Sequence, residues 1–425
     1  MFVKTRLKKL STSLVVIAAL LIAQVALADS AVVAPAKQEE KKKRPTKLVG
    51  ASVGKKVVKA FESYTADDID GALVVLKAIN AKKDYDKAYV ARFIAFMYAS
   101  KENNEKEAID YLKKAIAPDI LNKADHGAAL KLLADLQMQT KDYQNALANY
   151  AVWMDFTGEE DGSTWVKIAQ AHYELKQLAE MIVPADKAIV AFSKKPNQNP
   201  YILKLTSYYE RKKYQEAIKV LEAVILIFPE NKTWWTQLPM FYLLVENYPK
   251  AVQTLDLAYK QGFLDKASHI KTLANLYFSA EAPYKAAKLL EKHIASGVIK
   301  RNDQNMSMLA NAWHAAQHVD IAAKYYGELA EMTSEANYYR KQGMLLKQDE
   351  QFSKAILALN KALALGVENQ GRLYMSIAES YFYLEKYKKA YEAINSALKD
   401  PKSRKAAKSW KSFIVDTARR KNISI

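Results

Sequence analysis

Residues 374–397 read YMSIAESYFYLEKYKKAYEAINSA. Tyr374, Ile377, Ala378 and Tyr381 fall at offsets of three, four and seven, which puts them on one face of a helix. A short turn follows. Tyr387 then opens a second apolar stripe that carries Ala390 and, seven residues on, Ala397. The first helix presents large rings and a small residue, and the second presents a small residue where the backbones come closest. A bulky side chain at that approach would overpack by about 1–3 kcal/mol.

The same phrase recurs along the chain. Tyr143 leads to Ala146, Tyr214 to Ala217, Tyr248 to Ala251 and Tyr284 to Ala287. Val319 leads to Ala322 and Phe352 to Ala355, with weaker copies at Ala72, Ala108 and Met181. These ten approach positions are spaced 36, 38, 35, 36, 34, 36, 35, 33 and 35 residues apart. Trp165, Ile168, Ala169 and His172 repeat the first-helix phrase before Met181, and Trp235, Leu238 and Tyr242 repeat it before Ala251. Gly262, Gly297 and Gly366 suit helix C-termini. The reading is all-α: about ten helical hairpins over 56–398. A capping helix follows within 399–425, carried by Ala406, Ala407, Trp410, Phe413, Ile414 and Thr417.

Composition agrees. The 425 residues include only 12 Gly and 11 Pro, which disfavours a fold of many strands and turns. The absence of cysteine excludes disulfides, a thiol nucleophile and Cys-ligated zinc. The formal net charge is +18, and its surplus sits at the ends. Nine Lys/Arg stand against two Glu over 37–59, and nine against two Asp over 399–421. A nucleic-acid binder carries its basic stripe on the folded body, so no nucleic-acid partner is expected. The basic ends suit peripheral contact with an anionic membrane or with acidic partner segments; the alternative is solvating tails.

The N-terminus reads as an address. Lys4, Arg6, Lys8 and Lys9 precede an apolar run from Leu14 to Leu27 and the small-x-small sequence Ala26-Leu27-Ala28. The run is about 14 residues, short of the ~20 that a spanning helix needs. A cleaved signal peptide over 1–28 and a periplasmic location are expected. Residues 29–55, rich in Lys, Pro and Gly, read as a disordered basic linker.

The sequence offers little chemistry. Of six histidines only His314 and His318 have helical i, i+4 spacing, and of the further ligands a metal would need only Asp320 is close in sequence. There is no phosphate-binding glycine loop and no nucleophile elbow. No enzyme activity, cofactor, metal or small-molecule substrate is expected.

The period near 34 residues, with Trp/Tyr, Leu, Gly/Ala, Tyr, Tyr and Ala at fixed offsets and a late Pro, resembles the tetratricopeptide repeat (TPR) over about 340 residues. The resemblance implies a right-handed α-solenoid whose first helices line a peptide- or helix-binding groove. One groove-facing turn per first helix between Tyr173 and Lys347 gives Tyr173, Thr206, Tyr209, Met240, Leu243, Lys271, Asn275, Phe278, Asn311 and Arg340 as partner-binding residues. Lys271 and Asn275 resemble the opening pair of a clamp for a terminal carboxylate, but Met308 stands where the next asparagine belongs. Pro239 falls inside a first helix and is expected to kink or shorten it. Trp234 has two open readings, an exposed partner anchor or packing against the neighbouring repeat.

The whole layout resembles a group of exported TPR proteins of marine gamma-proteobacteria found with TonB energy-transduction systems. That resemblance implies a periplasmic, non-catalytic protein that binds TonB-system components and assists iron–siderophore uptake. The alternative is a periplasmic scaffold for envelope assembly or secretion complexes.

Overall fold

The computed structural model describes residues 44–425; the expected signal peptide and residues 29–43 of the expected linker lie outside the described residues. The described residues form 21 α-helices and no strand. The chain divides into two compact units at Trp234/Trp235.

The first unit pairs α1 (Ala51–Thr65) with α2 (Ile69–Lys77), α3 (Asp84–Ala99) with α4 (Glu105–Ile116), and α5 (Lys123–Gln139) with α6 (Tyr143–Thr157). It continues with α7 (Gly162–Glu174), α8 (Ile182–Ala191), α9 (Asn199–Glu210) and α10 (Tyr214–Ile227). Helix α11 (Lys232–Leu244) carries the division. The second unit continues with α12 (Tyr248–Lys260), then pairs α13 (Ala267–Ser279) with α14 (Pro283–Ala295) and α15 (Asp303–Ala315) with α16 (Val319–Thr333). It ends with α17 (Ala336–Gln348), α18 (Phe352–Ala364), α19 (Gln370–Tyr383), α20 (Tyr387–Ala397) and α21 (Arg404–Arg420). Each unit is thus a run of hairpins in which helices pack on their chain neighbours, a TPR-like all-α solenoid.

All ten approach residues, from Ala72 to Ala390 and including Met181, are completely buried. Each hairpin turns through a non-glycine residue at φ between 54° and 64°, from Asp67 in the first to Glu385 in the tenth. In most of them the next amide then donates back to the carbonyl of the first helix's ring position. Asn247 donates to Tyr242 at 2.8 Å, His318 to Trp313 at 3.1 Å and Lys386 to Tyr381 at 2.9 Å. This left-handed closure satisfies a carbonyl that the helix end would otherwise leave open.

The turns also correct the register of the seventh copy. Its left-handed residue is Glu281 and its second helix begins at Pro283. The approach residue is therefore Ala286, one before the Ala287 expected from Tyr284. Both alanines are fully buried, so burial alone does not separate them.

Pro239 does not shorten its helix. Helix α11 runs 13 residues, as α12 does, with Pro239 inside it.

The linker expected over 29–55 ends earlier than its composition suggested. Helix α1 starts at Ala51 and buries Val57 and Ala60. Residues 44–50 are pinned across α3–α6. The Arg44 guanidinium donates to the Leu121 carbonyl at 2.6 Å and the Asp119 carbonyl at 2.9 Å, pairs with the Asp119 carboxylate, and lies 5.0 Å from the Phe156 ring centroid. Asn122 bonds both backbone groups of Lys47, and the Gly50 amide donates to buried Asp86 at 3.0 Å. At the other end α21 packs on α19 and α20, burying Ala407, Ile414 and Ala418.

His126 borders this strap, with its ring 4.7 Å from Phe156. Burial, then the Arg44 charge, hold it below the ordinary histidine value of 6.5. Burial likewise lowers His269 and His293. The unfolded chain therefore takes up protons first as pH falls. Urea midpoints are expected to be flat from about pH 6.5 to about pH 9 and to drop on the acid side. His126→Leu should remove part of that slope, and an unchanged midpoint at pH 5.5 would contradict it.

Two substitutions should invert ordinary helix rules. A Cβ on Gly343 would sit 2.6 Å from Leu359 Cγ and 3.1 Å from the Leu359 backbone nitrogen, so Gly343→Ala is expected to cost about 1–3 kcal/mol despite alanine's higher helix propensity. Gln317, exposed at φ 62°, should gain about 0.5–1 kcal/mol on Gln317→Gly. Urea denaturation of both variants checks the signs.

Candidate functional site

Counted back from the approach residue, the sequence-named residues share three positions on the first helices. Lys271 and Arg340 lie fifteen before it. Thr206, Met240, Asn275 and Asn311 lie eleven before, and Tyr173, Tyr209, Leu243 and Phe278 eight before. Asn275 and Asn311 are exposed, and the others are half-buried. Tyr173, Thr206 and Tyr209 form this stripe in the first unit, and the remaining seven form it in the second. Trp234 does not belong to it. Its side chain is completely buried, so the exposed-anchor reading is overturned. Trp235 is half-buried, with its ring 6.1 Å from Phe263.

The structure adds residues that the stripe alone did not name. In the first unit the Tyr150 hydroxyl donates to Asp135 Oδ1 at 2.5 Å, and Lys167 Nζ donates to the same oxygen at 2.7 Å. Asp135 lies eleven before its approach residue, Tyr150 four after, and Lys167 on the next first helix. The second unit repeats the pattern with Asn311, Tyr326 and Lys341. The Tyr326 hydroxyl donates to Asn311 Oδ1, and Lys341 Nζ reaches the Tyr326 oxygen at 3.4 Å. The Lys341 ammonium also lies over the Tyr326 and Tyr338 rings at 4.8 and 5.9 Å.

The two copies differ in one charge. Burial, reinforced by the hydrogen bond to Asp135, pushes the Tyr150 phenol far above its ordinary value. Burial, then Tyr338, raises Tyr326 less. In the first copy the carboxylate neutralises Lys167. In the second an amide replaces it. Lys341 is half-buried and makes no ion pair among the described residues, and burial, then neighbouring Arg340, pulls its pKa down. The second copy is therefore a cation lacking the acceptor that its counterpart owns, and it can receive a carboxylate from outside. The signal for both was a tyrosine at a position that is leucine in most copies, as at Leu76, Leu221 and Leu359, with a polar residue fifteen before it.

No group of three or more His, Asp or Glu is placed to hold a metal among the described residues. His318 packs instead against Trp313 and Tyr284, with centroids 5.3 and 5.4 Å away.

No protein-family model and no curated protein matches the chain. Among solved structures, MamA from AMB-1 overlaps 40% of this chain and 92% of its own, at 20% identity and a TM-score of 0.31. YrrB, described as a TPR protein with an unusual peptide-binding site, overlaps 44% of this chain and 95% of its own, at 17% identity and a TM-score of 0.34. Naa15/Naa10 bound to HypK-THB overlaps 87% of this chain and 68% of its own, at 12% identity and a TM-score of 0.46.

The two constellations should differ in stability. Tyr150→Phe removes a hydrogen bond to a charged acceptor and is expected to cost about 1.5–3 kcal/mol, whereas Tyr326→Phe, opposite a neutral amide, should cost about 0.5–1.5 kcal/mol. Equal losses in urea denaturation would contradict the assigned charge difference.

Proposed function

We propose that this chain is an exported, non-catalytic protein-binding solenoid of the periplasm. Its partners are components of a TonB energy-transduction system that supports iron–siderophore uptake. The observation that carries the binding reading is the stripe of half-buried and exposed side chains at three fixed positions of successive first helices, joined by the Lys341 ammonium next to Arg340, which makes no ion pair among the described residues. Partly exposed aromatic residues such as Phe278 supply anchors, and Lys271, Asn275, Asn311 and Arg340 fix register. An acidic group of the partner would complete the Asn311–Tyr326–Lys341 arrangement.

Export rests on the basic start, apolar run and small-x-small sequence over 1–28. The TonB assignment rests on layout: a signal, a lysine-rich stretch, ten hairpins filling the body, and a basic last helix. Helical hairpins occupy the body from α1 to α20, which supports a binding role.

The test is affinity capture from periplasm with the native chain and with Arg340→Glu/Lys341→Glu. Capture of TonB-system proteins should weaken by about tenfold in the variant, with helix content unchanged, and growth on a siderophore that needs that system should fall in parallel. Capture of cell-wall or secretion proteins instead would overturn the TonB assignment. Unchanged capture would overturn the stripe.

A further inference from the structure

A second surface lies on the second helices. Within the second unit α12, α13 and α14 line an open cleft of about 250 Å³. Its floor is Tyr277 and Leu289, both buried, and its walls are Tyr259 and Tyr284. The Tyr277 hydroxyl donates to Asp256 Oδ1 at 2.5 Å, which fixes the floor ring in place. Tyr259 is held at its oxygen by His293 Nε2 at 3.0 Å and by Lys292 Nζ at 3.1 Å. Tyr284 is half exposed, and its inner edge packs against Trp313 at 5.7 Å.

The rim is cationic. Lys285, Lys288 and Lys292 follow i, i+3, i+7 along one face of α14. They stand one before, two after and six after Ala286. No other second helix carries lysine at all three of these positions, and α18 comes nearest with Lys354, Leu357 and Lys361. The charges are poorly compensated. Lys285 and Lys292 make no ion pair among the described residues, and Lys288 reaches only Glu291, at 3.5 Å on its own helix. Glu291 is already the acceptor for the Tyr325 hydroxyl at 2.6 Å, and Asp256 is taken by Lys260 at 2.8 Å and by Tyr277.

Size and charge together select the occupant. The volume falls below the ~300 Å³ at which small-molecule pockets begin, so the cleft suits a single side chain. A ring-lined interior favours an aromatic one. The three ammonium groups spread over about 10 Å of helix axis, more than one compact anion can span. An extended peptide, rising about 3.3 Å per residue, places several carboxylates along that length.

We propose that this cleft docks an extended acidic segment of a protein partner. One aromatic side chain enters between Tyr259 and Tyr284, and flanking carboxylates pair with Lys285, Lys288 and Lys292. The class of partner rests on the protein-binding reading above, but the residues lie outside the first-helix stripe, so the two surfaces fail separately.

The probe is a fluorescein-labelled peptide of sequence Asp-Glu-Phe-Glu-Asp, with Asp-Glu-Ala-Glu-Asp as its control, titrated by anisotropy against the full chain at low salt. The phenylalanine peptide should bind and should weaken as salt rises. Lys285→Glu/Lys288→Glu/Lys292→Glu should lower its affinity by about tenfold or more, and the alanine peptide should bind more weakly than the phenylalanine one. Lys106→Glu/Lys113→Glu, at exposed positions of α4 in the first unit, makes the same kind of charge reversal away from both surfaces and should leave peptide affinity unchanged. The three lysines lie on the surface, so circular dichroism should confirm that the triple variant keeps its helix content. Absence of binding, or equal binding by the triple variant, overturns the proposal. So does binding of phosphatidylglycerol vesicles, but not of the peptide, in a manner that depends on these lysines.

Discussion

Two helix backbones in each hairpin come together at a point that has no solvent and almost no spare volume. The approach residue there is completely buried in every copy. At Gly343 the constraint extends to the facing helix, where even a methyl group would press on the Leu359 backbone. The fourth hairpin shows what happens when the constraint is violated. Met181 is too large for a helix–helix approach, and α8 begins only at Ile182, whereas the other second helices begin three residues before their approach residue. A turn occupies the skipped positions, and the Ser207 hydroxyl caps its Leu178 carbonyl. The copy keeps a buried approach residue by shortening its helix to 10 residues.

With backbones held this close, the turn between them has little choice. A left-handed residue followed by a back-donated amide closes the first helix, and the chain accepts Asp, Asn, Lys, Gln or Glu there at a conformational cost of order 1 kcal/mol each. Glycine is kept for the other kind of turn, after second helices, at Gly158, Gly262, Gly297 and Gly366. The hairpin turns fix the phase of the following helix. Within each unit, residues fifteen, eleven and eight before the approach residue therefore recur on one stripe, and polar groups on adjacent first helices come within reach of one buried tyrosine.

The period was legible because small residues at the approach cannot drift. Its phase was less so. At the seventh copy two adjacent alanines and a misplaced aromatic, Tyr284, suggested Ala287, and only the position of Glu281 in the turn fixes Ala286. The start of the folded body was hidden for a different reason. Residues 44–50 have the composition of a solvated tail, yet Arg44 spends its donors on carbonyls that the loop before α5 leaves open. Composition reports average solvation and is blind to a single well-placed guanidinium. Trp234 and Trp235 were ambiguous because adjacent rings on one helix cannot both face the same way, and periodicity chose the ring that turned out half-buried.

The candidate surfaces were legible in proportion to how much they depend on backbone phase. The first-helix stripe follows from phase alone, and so its residues could be named from sequence. The constellations of Asp135 and Asn311 need one more fact, that a tyrosine at a leucine position sends its hydroxyl across to the partner helix. Replacing the carboxylate by an amide between these copies leaves packing almost unchanged and removes one charge. A solenoid tolerates that change, because each repeat is stabilised mainly by contacts with its neighbours. The cationic face of α14 uses the same freedom on the opposite helix of the hairpin. Positions that need only solubility for folding can carry lysine without disturbing the approach residues beneath them, so the candidate surfaces can differ between repeats on a frame that the buried alanines hold constant.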